Sequence, residues 1–159
     1  MALRTIRLQG DPVLNKVCRQ IPEMTSRIRT LAEDMLETMY DANGVGLAAP
    51  QVGILKRLVV IDAGDGPYIM VNPEIIETSG EQTGDEGCLS VPGKAGEVTR
   101  PNYVRAKYYD LDMNECEVTG EELLARAICH EVDHLDGHLY VEKTNGPLQD
   151  AVMEEEEEE

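Results

Sequence analysis

Two histidines one helical turn apart, in the run His130-Glu131-Val132-Asp133-His134, set the strictest condition on how this chain can fold. At about 100° per residue, Leu123, Arg126, Ala127, His130 and His134 share one side of a helix. Leu124, Ile128, Val132 and Leu135 lie roughly opposite, and only a narrow strip with Glu122, Cys129 and Asp133 is polar or neutral. A helix that is apolar on two sides is mostly buried. Buried imidazoles need partners, and a metal supplies one to each. Histidines at i and i+4 can reach the same ion, and a glutamate at i+1 stands beside them to move a proton. The ordinary alternative, two surface histidines on a plain helix, fits the double apolar face poorly.

A catalytic site of this kind needs a third protein ligand and an open position. The metzincin extension is half present: Gly137 is in place, but Tyr140 stands where its last histidine belongs. His138 falls at or past the helix end. Glu154 has the separation of a thermolysin-like carboxylate ligand, but it opens a run of glutamates. Cys88 is the better candidate. It sits in Asp85-Glu86-Gly87-Cys88-Leu89-Ser90, where Gly87 permits close backbone approach. A thiolate with two imidazoles makes a set suited to Fe(II) or Zn. Cys18 and Cys116 lack such a context, and Cys129 points away from His130 into the core. No CxxC pair occurs, so a disulfide framework is not expected.

Around this helix the chain reads as an α+β fold. Antiparallel or mixed sheets pack around a buried C-terminal metal-binding helix, with another helix near the N-terminus. Ile28, Leu31, Ala32, Met35, Leu36, Met39 and Tyr40 recur at helical spacing, predicting a helix from Thr25 or Ser26 to Ala42, stopped by Asn43-Gly44. Strands are expected over Arg57–Asp62, Tyr68–Thr78, Gly87–Val91 and Tyr103–Asp110, with Pro73 and Pro92 marking edges or bends. Thr119-Gly120-Glu121-Glu122 matches a capping box with Thr119 as N-cap, so the second helix is expected to begin after Thr119 and run to about Leu135, with Gly137 beyond its end.

The chain has 159 residues, enough for one sizeable core. No apolar run approaches the ~20 residues of a membrane helix, and no signal-like start is seen, so a cytosolic protein is expected. The net charge is −17; Glu154–Glu159 carry six of these charges, leaving −11 on the remainder. That balance argues against direct nucleic-acid binding. Residues 1–153 read as one catalytic domain and 154–159 as a disordered acidic tail.

Three segments together resemble the peptide deformylases: Gly44-Val45-Gly46-Leu47-Ala48-Ala49-Pro50-Gln51, Glu86-Gly87-Cys88-Leu89-Ser90 and His130-Glu131-Val132-Asp133-His134-Leu135. The resemblance spans Ile6 to Val141. It implies hydrolytic removal of the formyl group from N-terminal formyl-methionine of newly made bacterial or organellar polypeptides, with a bacterial-type cytoplasmic setting expected here. Carried over by position, Cys88, His130 and His134 become metal ligands and Glu131 the general base and acid. Gln51 and the Leu89 N–H become oxyanion donors. Val45, Gly46 and Gly87 would contact an extended substrate. The resemblance implies one divalent metal, Fe(II) in cells, with Ni, Co or Zn as substitutes.

Leu123 and Ala127 are candidate walls of a methionine pocket. Glu86 could line that pocket or orient a ligand. Arg126 could stand at the pocket mouth, but Glu122 four residues earlier favours an exposed surface pair. Asp133 and Asp136 are candidates to receive the second N–H of a ligating histidine, as is a backbone carbonyl. An acidic end would be repelled by ribosomal RNA, so docking through the tail is not expected, although transient proximity to the ribosome is implied. The rival readings are an HExxH zinc endopeptidase and a non-catalytic structural metal module.

Overall fold

The computed structural model describes residues 2–151. The predicted acidic tail, and with it Glu154, lies outside the described residues. Helix α1 spans Ser26–Asp41 and α2 spans Leu123–Leu135. The strands are β1 (Gly46–Ala48), β2 (Leu58–Ile61), β3 (Tyr68–Ser79), β4 (Gln82–Cys88), β5 (Val91–Arg100), β6 (Tyr103–Tyr109), β7 (Glu115–Glu121) and β8 (Gln149–Asp150). They form a five-stranded sheet in the order β1-β2-β3-β6-β7 and a three-stranded sheet in the order β4-β5-β8. The pairings within both sheets are antiparallel. The α+β architecture expected from the sequence is the one observed.

The larger sheet is covered on both faces, and its strands show why. All four residues of β2, Leu58-Val59-Val60-Ile61, are buried. Val59 and Ile61 face α2, where they join Ala48, Met70, Val104, Ala106 and Ile128. Leu58 and Val60 face α1 and meet Leu31, Met35 and Met39. A two-residue period on the strand thus serves two helices at once. A third cluster, with Leu14, Val91, Val98, Leu139 and Tyr140, lies under the smaller sheet.

Helix α1 begins where the sequence predicts. The Thr25 hydroxyl accepts the Ile28 N–H at 3.2 Å, a side-chain cap for an otherwise unpaired donor. Helix α2 does not begin as expected. Thr119 pairs with Arg105 inside the β6–β7 ladder, which runs through Glu121. That ladder takes the backbone the capping box would have used. The chain instead turns sharply at Glu122, with φ 54°, and the helix starts at Leu123 without a side-chain cap. The expected strand over Gly87–Val91 is also corrected. Cys88 pairs with Val91, so Leu89-Ser90 forms a tight turn between β4 and β5.

Pro73 lies in the middle strand of the larger sheet, at a register shift between Val71 and Glu74. The bend expected there is present, not an edge. The preceding residue, Asn72, adopts φ 51°. Its side chain clips the Ile21 backbone twice, accepting the N–H and donating to the carbonyl, both at 2.8 Å. Asn72→Gly keeps the left-handed backbone but loses both bonds, and is expected to cost about 1–3 kcal/mol in urea unfolding. Asn72→Ala should cost about 1 kcal/mol more, because alanine is strained at that φ. Equal stabilities for the two variants would contradict the backbone part of this account.

Candidate active site

A cleft of about 890 Å³ is lined by three elements. Gly44, Val45 and Gly46 contribute the edge of the larger sheet, and Glu86, Gly87, Cys88 and Leu89 contribute the edge of the smaller one. Leu123, Arg126, Ala127, His130 and Glu131 line it from α2. Ten residues expected at the site from the sequence therefore border one cavity: Val45, Gly46, Glu86, Gly87, Cys88, Leu89, Leu123, Ala127, His130 and Glu131. Gln51 and His134 are 1% exposed and sit behind the lining.

Donor atoms of Cys88, His130 and His134 all lie within 4.8 Å of one another. His134 Nε2 is 3.2 Å from His130 Nε2 and 3.3 Å from Cys88 Sγ. Nitrogen and sulfur lone pairs gathered this closely, in a site where both histidines are buried, call for a cation among them. The surroundings are consistent with one. Glu131 Oε1 is buried with no hydrogen-bond partner among the described residues, whereas the unpartnered His134 Nδ1 is not the ring nitrogen that meets the other donors. The chemistry and spacing of the three donors fit a single divalent metal. The other third-ligand candidate among the described residues turns away: His138 is exposed and bonds Glu142 at 3.1 Å. Tyr140 stacks against the His130 ring at a centroid distance of 6.1 Å.

The partner of His130 is neither Asp133 nor Asp136. Its Nδ1 lies 2.5 Å from Glu86 Oε2. Arg100 grips the same carboxylate twice, at 3.1 and 2.6 Å, and reaches Asp133 at 2.7 Å. Asp133 is thereby committed to Arg100, while Asp136 pairs with Arg57 at 2.9 Å. Arg126 donates to Glu86 Oε1 at 2.8 Å and to the Val98 carbonyl at 3.1 Å. The surface pair of Arg126 with Glu122 is therefore not formed. The smaller sheet covers this side of α2, leaving the Arg126 side chain only 9% exposed. Glu86 is 5% exposed at the cleft wall and has its carboxylate turned into this network. Burial alone would raise the Glu86 pKa, but His130 and Arg100 hold it down at about 2.

Gln51 is oriented by its own short turn. Its Oε1 accepts the Ala48 N–H at 2.9 Å, which leaves Nε2 to point toward Ser90 Oγ at 3.0 Å and Cys88 Sγ at 3.6 Å. The Leu89 N–H takes no backbone partner among the described residues. Arg100 and Ser90 were not foreseen from the sequence. Arg100 carries no local signal beyond standing before Pro101, and Ser90 is completely buried in a turn that strand propensity does not reveal.

Glu131 is 3% exposed, and burial pushes its carboxyl up to about 7 against the pull of His130. It packs against the backbone of Gly46. A Cβ built on Gly46 would collide with Glu131 Oε2 and would lie 2.9 Å from Cδ. Gly46 thus has a packing reason to be glycine, apart from the substrate contact that the resemblance implies. Gly46→Ala is expected to lower kcat/KM by about tenfold to a hundredfold, by displacing the carboxylate. Gly44→Ala meets only the flexible Leu89 side chain, at 2.6 Å, and should lose less. Steady-state assays of both variants, with thermal melts as a folding control, test this ordering.

Comparison with known proteins agrees with the geometry. The polypeptide deformylase family matches residues 3–149. A peptide deformylase of Agathobacter rectalis is 73% identical over 158 residues, covering 99% of this chain and 100% of the relative. One from Lachnoclostridium phytofermentans is 65% identical, covering 100% and 99%. The crystal structure of peptide deformylase from Thermotoga maritima superposes with a TM-score of 0.88 at 39% identity, covering 91% of this chain and 99% of that one. With its fold, its cleft and its sequence all in agreement, the chain belongs to the polypeptide deformylase family.

Proposed function

We propose that this chain removes the formyl group from N-terminal formyl-methionine of nascent polypeptides with Glu131 as its proton carrier, beside one divalent metal held by Cys88, His130 and His134. The family is a hydrolase family that acts on newly made peptides, and the chain shares its activity. The observation that carries the residue assignment is the convergence of the three donor atoms within 4.8 Å, next to a buried carboxylate, at one open cleft.

A metal held there supplies Lewis acidity, acidifying water and polarising the formyl oxygen. Glu131 takes the proton from the attacking water and hands it to the leaving amine. Its unpartnered Oε1 supports that role, since no other group competes for it. Gln51 Nε2 and the Leu89 N–H donate to the oxygen that gains charge as the carbonyl is attacked. Losing one such donor typically costs ~3–4 kcal/mol of transition-state stabilisation. The fixed Gln51 Oε1 supports this assignment, because it limits the direction of the amide N–H₂.

Substrate binding uses the two open sheet edges. β1 ends one sheet and β4 ends the other, and both border the cleft. An extended peptide lying between them can pair with either as an added strand. Val45, Leu123 and Ala127 offer apolar wall for methionine, and Gly46 and Gly87 leave the backbones approachable. Glu86 acts through His130 and not on substrate.

Fe(II) is the metal we assign in cells, with Ni, Co or Zn as replacements. The thiolate lowers the net charge of the site below that of three neutral histidines, which suits a borderline ion. The working location is the cytoplasm, close to the ribosome. Among the described residues no helix is long and apolar enough to cross a membrane.

Iron-loaded protein incubated anaerobically with formyl-Met-Ala-Ser should release formate, and should release no acetate from the acetyl analogue. Absence of formate would overturn the activity. Glu131→Gln should retain metal but lose activity by orders of magnitude, and an unchanged rate would remove Glu131 from the mechanism. Cys88→Ala should lose both metal and activity, whereas an HExxH endopeptidase with a distant carboxylate ligand would keep both.

A further inference from the structure

Arg126 is anchored more firmly than a cleft-lining residue requires. It joins three elements: its own helix α2, Glu86 of β4 and the Val98 carbonyl of β5. Glu86 Oε1 receives donors from both Arg126 and Arg100, while Oε2 receives Arg100 and faces His130 Nδ1. Two guanidiniums thus balance two carboxylates, Glu86 and Asp133, under the smaller sheet. At the same time Arg126 shares a helix face with Leu123, Ala127 and His130, and all four line the cleft.

We propose that Arg126 is a positioning residue that joins the wall of the methionine pocket to the metal ligand His130 through Glu86. The proposal rests on the site assignment given above and adds a coupling to it. Without Arg126, Glu86 keeps the two-point grip of Arg100 but loses the donor that ties its Oε1 to helix α2 and the pocket wall. His130 then faces an acceptor held from the Arg100 side alone and no longer tied to its own helix, so its ring is oriented less firmly. A methionine side chain pressing on the stem of Arg126 acts on the same linkage from the substrate side. Pocket occupancy and metal retention are therefore linked, and linkage is reciprocal.

The test uses the Co(II)-loaded full chain, with the rate of metal transfer to a chromogenic chelator and the visible cobalt spectrum as readouts. Arg126→Met keeps an apolar stem and removes the guanidinium. It should release Co(II) roughly tenfold faster or more, with altered cobalt bands. Arg126→Lys can reach one partner but not both, and should fall between the two. Arg105→Met breaks only exposed pairs with Glu77 and Glu117 and should behave as wild type. Saturating Met-Ala-Ser, which carries methionine without the formyl group, should slow release severalfold from wild type and not from Arg126→Met.

Wild-type release and spectrum in Arg126→Met, with only a lowered melting temperature, would reduce Arg126 to a packing residue and overturn the proposal. Equal slowing by Met-Ala-Ser in both proteins would overturn the coupling, since simple blockage of the exit affects both alike. If Arg126→Met fails to fold, wild-type release from Arg126→Lys overturns the proposal in its place. These readouts do not depend on turnover. A wild-type protein that released no formate would sink the assigned reaction and leave the metal-release result standing.

Discussion

An imidazole cannot be buried without a partner, and this structure depends on burying two of them on one helix. Helix α2 is apolar on opposite sides because it lies between the larger sheet and the elements around the smaller one. Ile128 and Leu135 pack toward the small aliphatic residues of the larger sheet. His130 and His134 are buried with them, and the one other donor beside them, the Cys88 sulfur, comes from the smaller sheet. The cleft exists because the two sheets end at β1 and β4 without joining. The proposed chemistry occupies that gap, since it needs a dry interior on one side and access for a peptide on the other.

The charges around the site obey the same logic. Glu86, Arg100 and Arg126 take three charges out of water beside the partly buried Asp133, and such pairs seldom add much stability. What they offer is geometry. A bidentate guanidinium fixes a carboxylate in plane and direction, and that carboxylate meets His130. The arrangement keeps Glu86 an acceptor well below neutral pH, in contrast to Glu131, whose carboxyl is raised toward neutrality by burial. The cleft therefore contains two carboxylates of opposite character on neighbouring elements: one fixed in its ionised form, the other suited to exchanging a proton.

Much of this was legible in the sequence, for identifiable reasons. The spacing of Ile28, Leu31, Met35 and Met39 revealed α1, and Thr25 marked its start. The apolar run Leu58–Ile61 revealed β2, and His130 with His134 marked a helix and the place proposed here for a metal. Cys88 followed from thiol chemistry and its glycine neighbour. The failures share one cause, that local signals lost to pairing partners distant in sequence. The Thr119 capping box yielded to a ladder with β6, and the strand expected through Leu89-Ser90 yielded to a turn set by Cys88 meeting Val91. Arg126 was read against Glu122 because the rule for neighbours on a helix assumes an exposed face. Only the tertiary fold shows that β4 and β5 cover it. Arg100 comes from yet another strand, and nothing near it in the sequence announces its role.

The short strand β8 has a consequence for the protein's life in a crowded solution. Gln149–Asp150 pairs with Lys94 and Ala95, and Lys94 bonds Asp150 at 2.6 Å. This covers part of the outer edge of β5 with two residues and a charge pair. An unpaired strand edge invites any extended chain, including a second copy of the same protein. With that flank capped, the open edges facing the cleft are β1 and β4, and β1 offers only three residues. So short a template can hold a brief peptide while giving a misfolded neighbour little to grow upon. At that edge the fold separates room for an added strand from the hazard of aggregation.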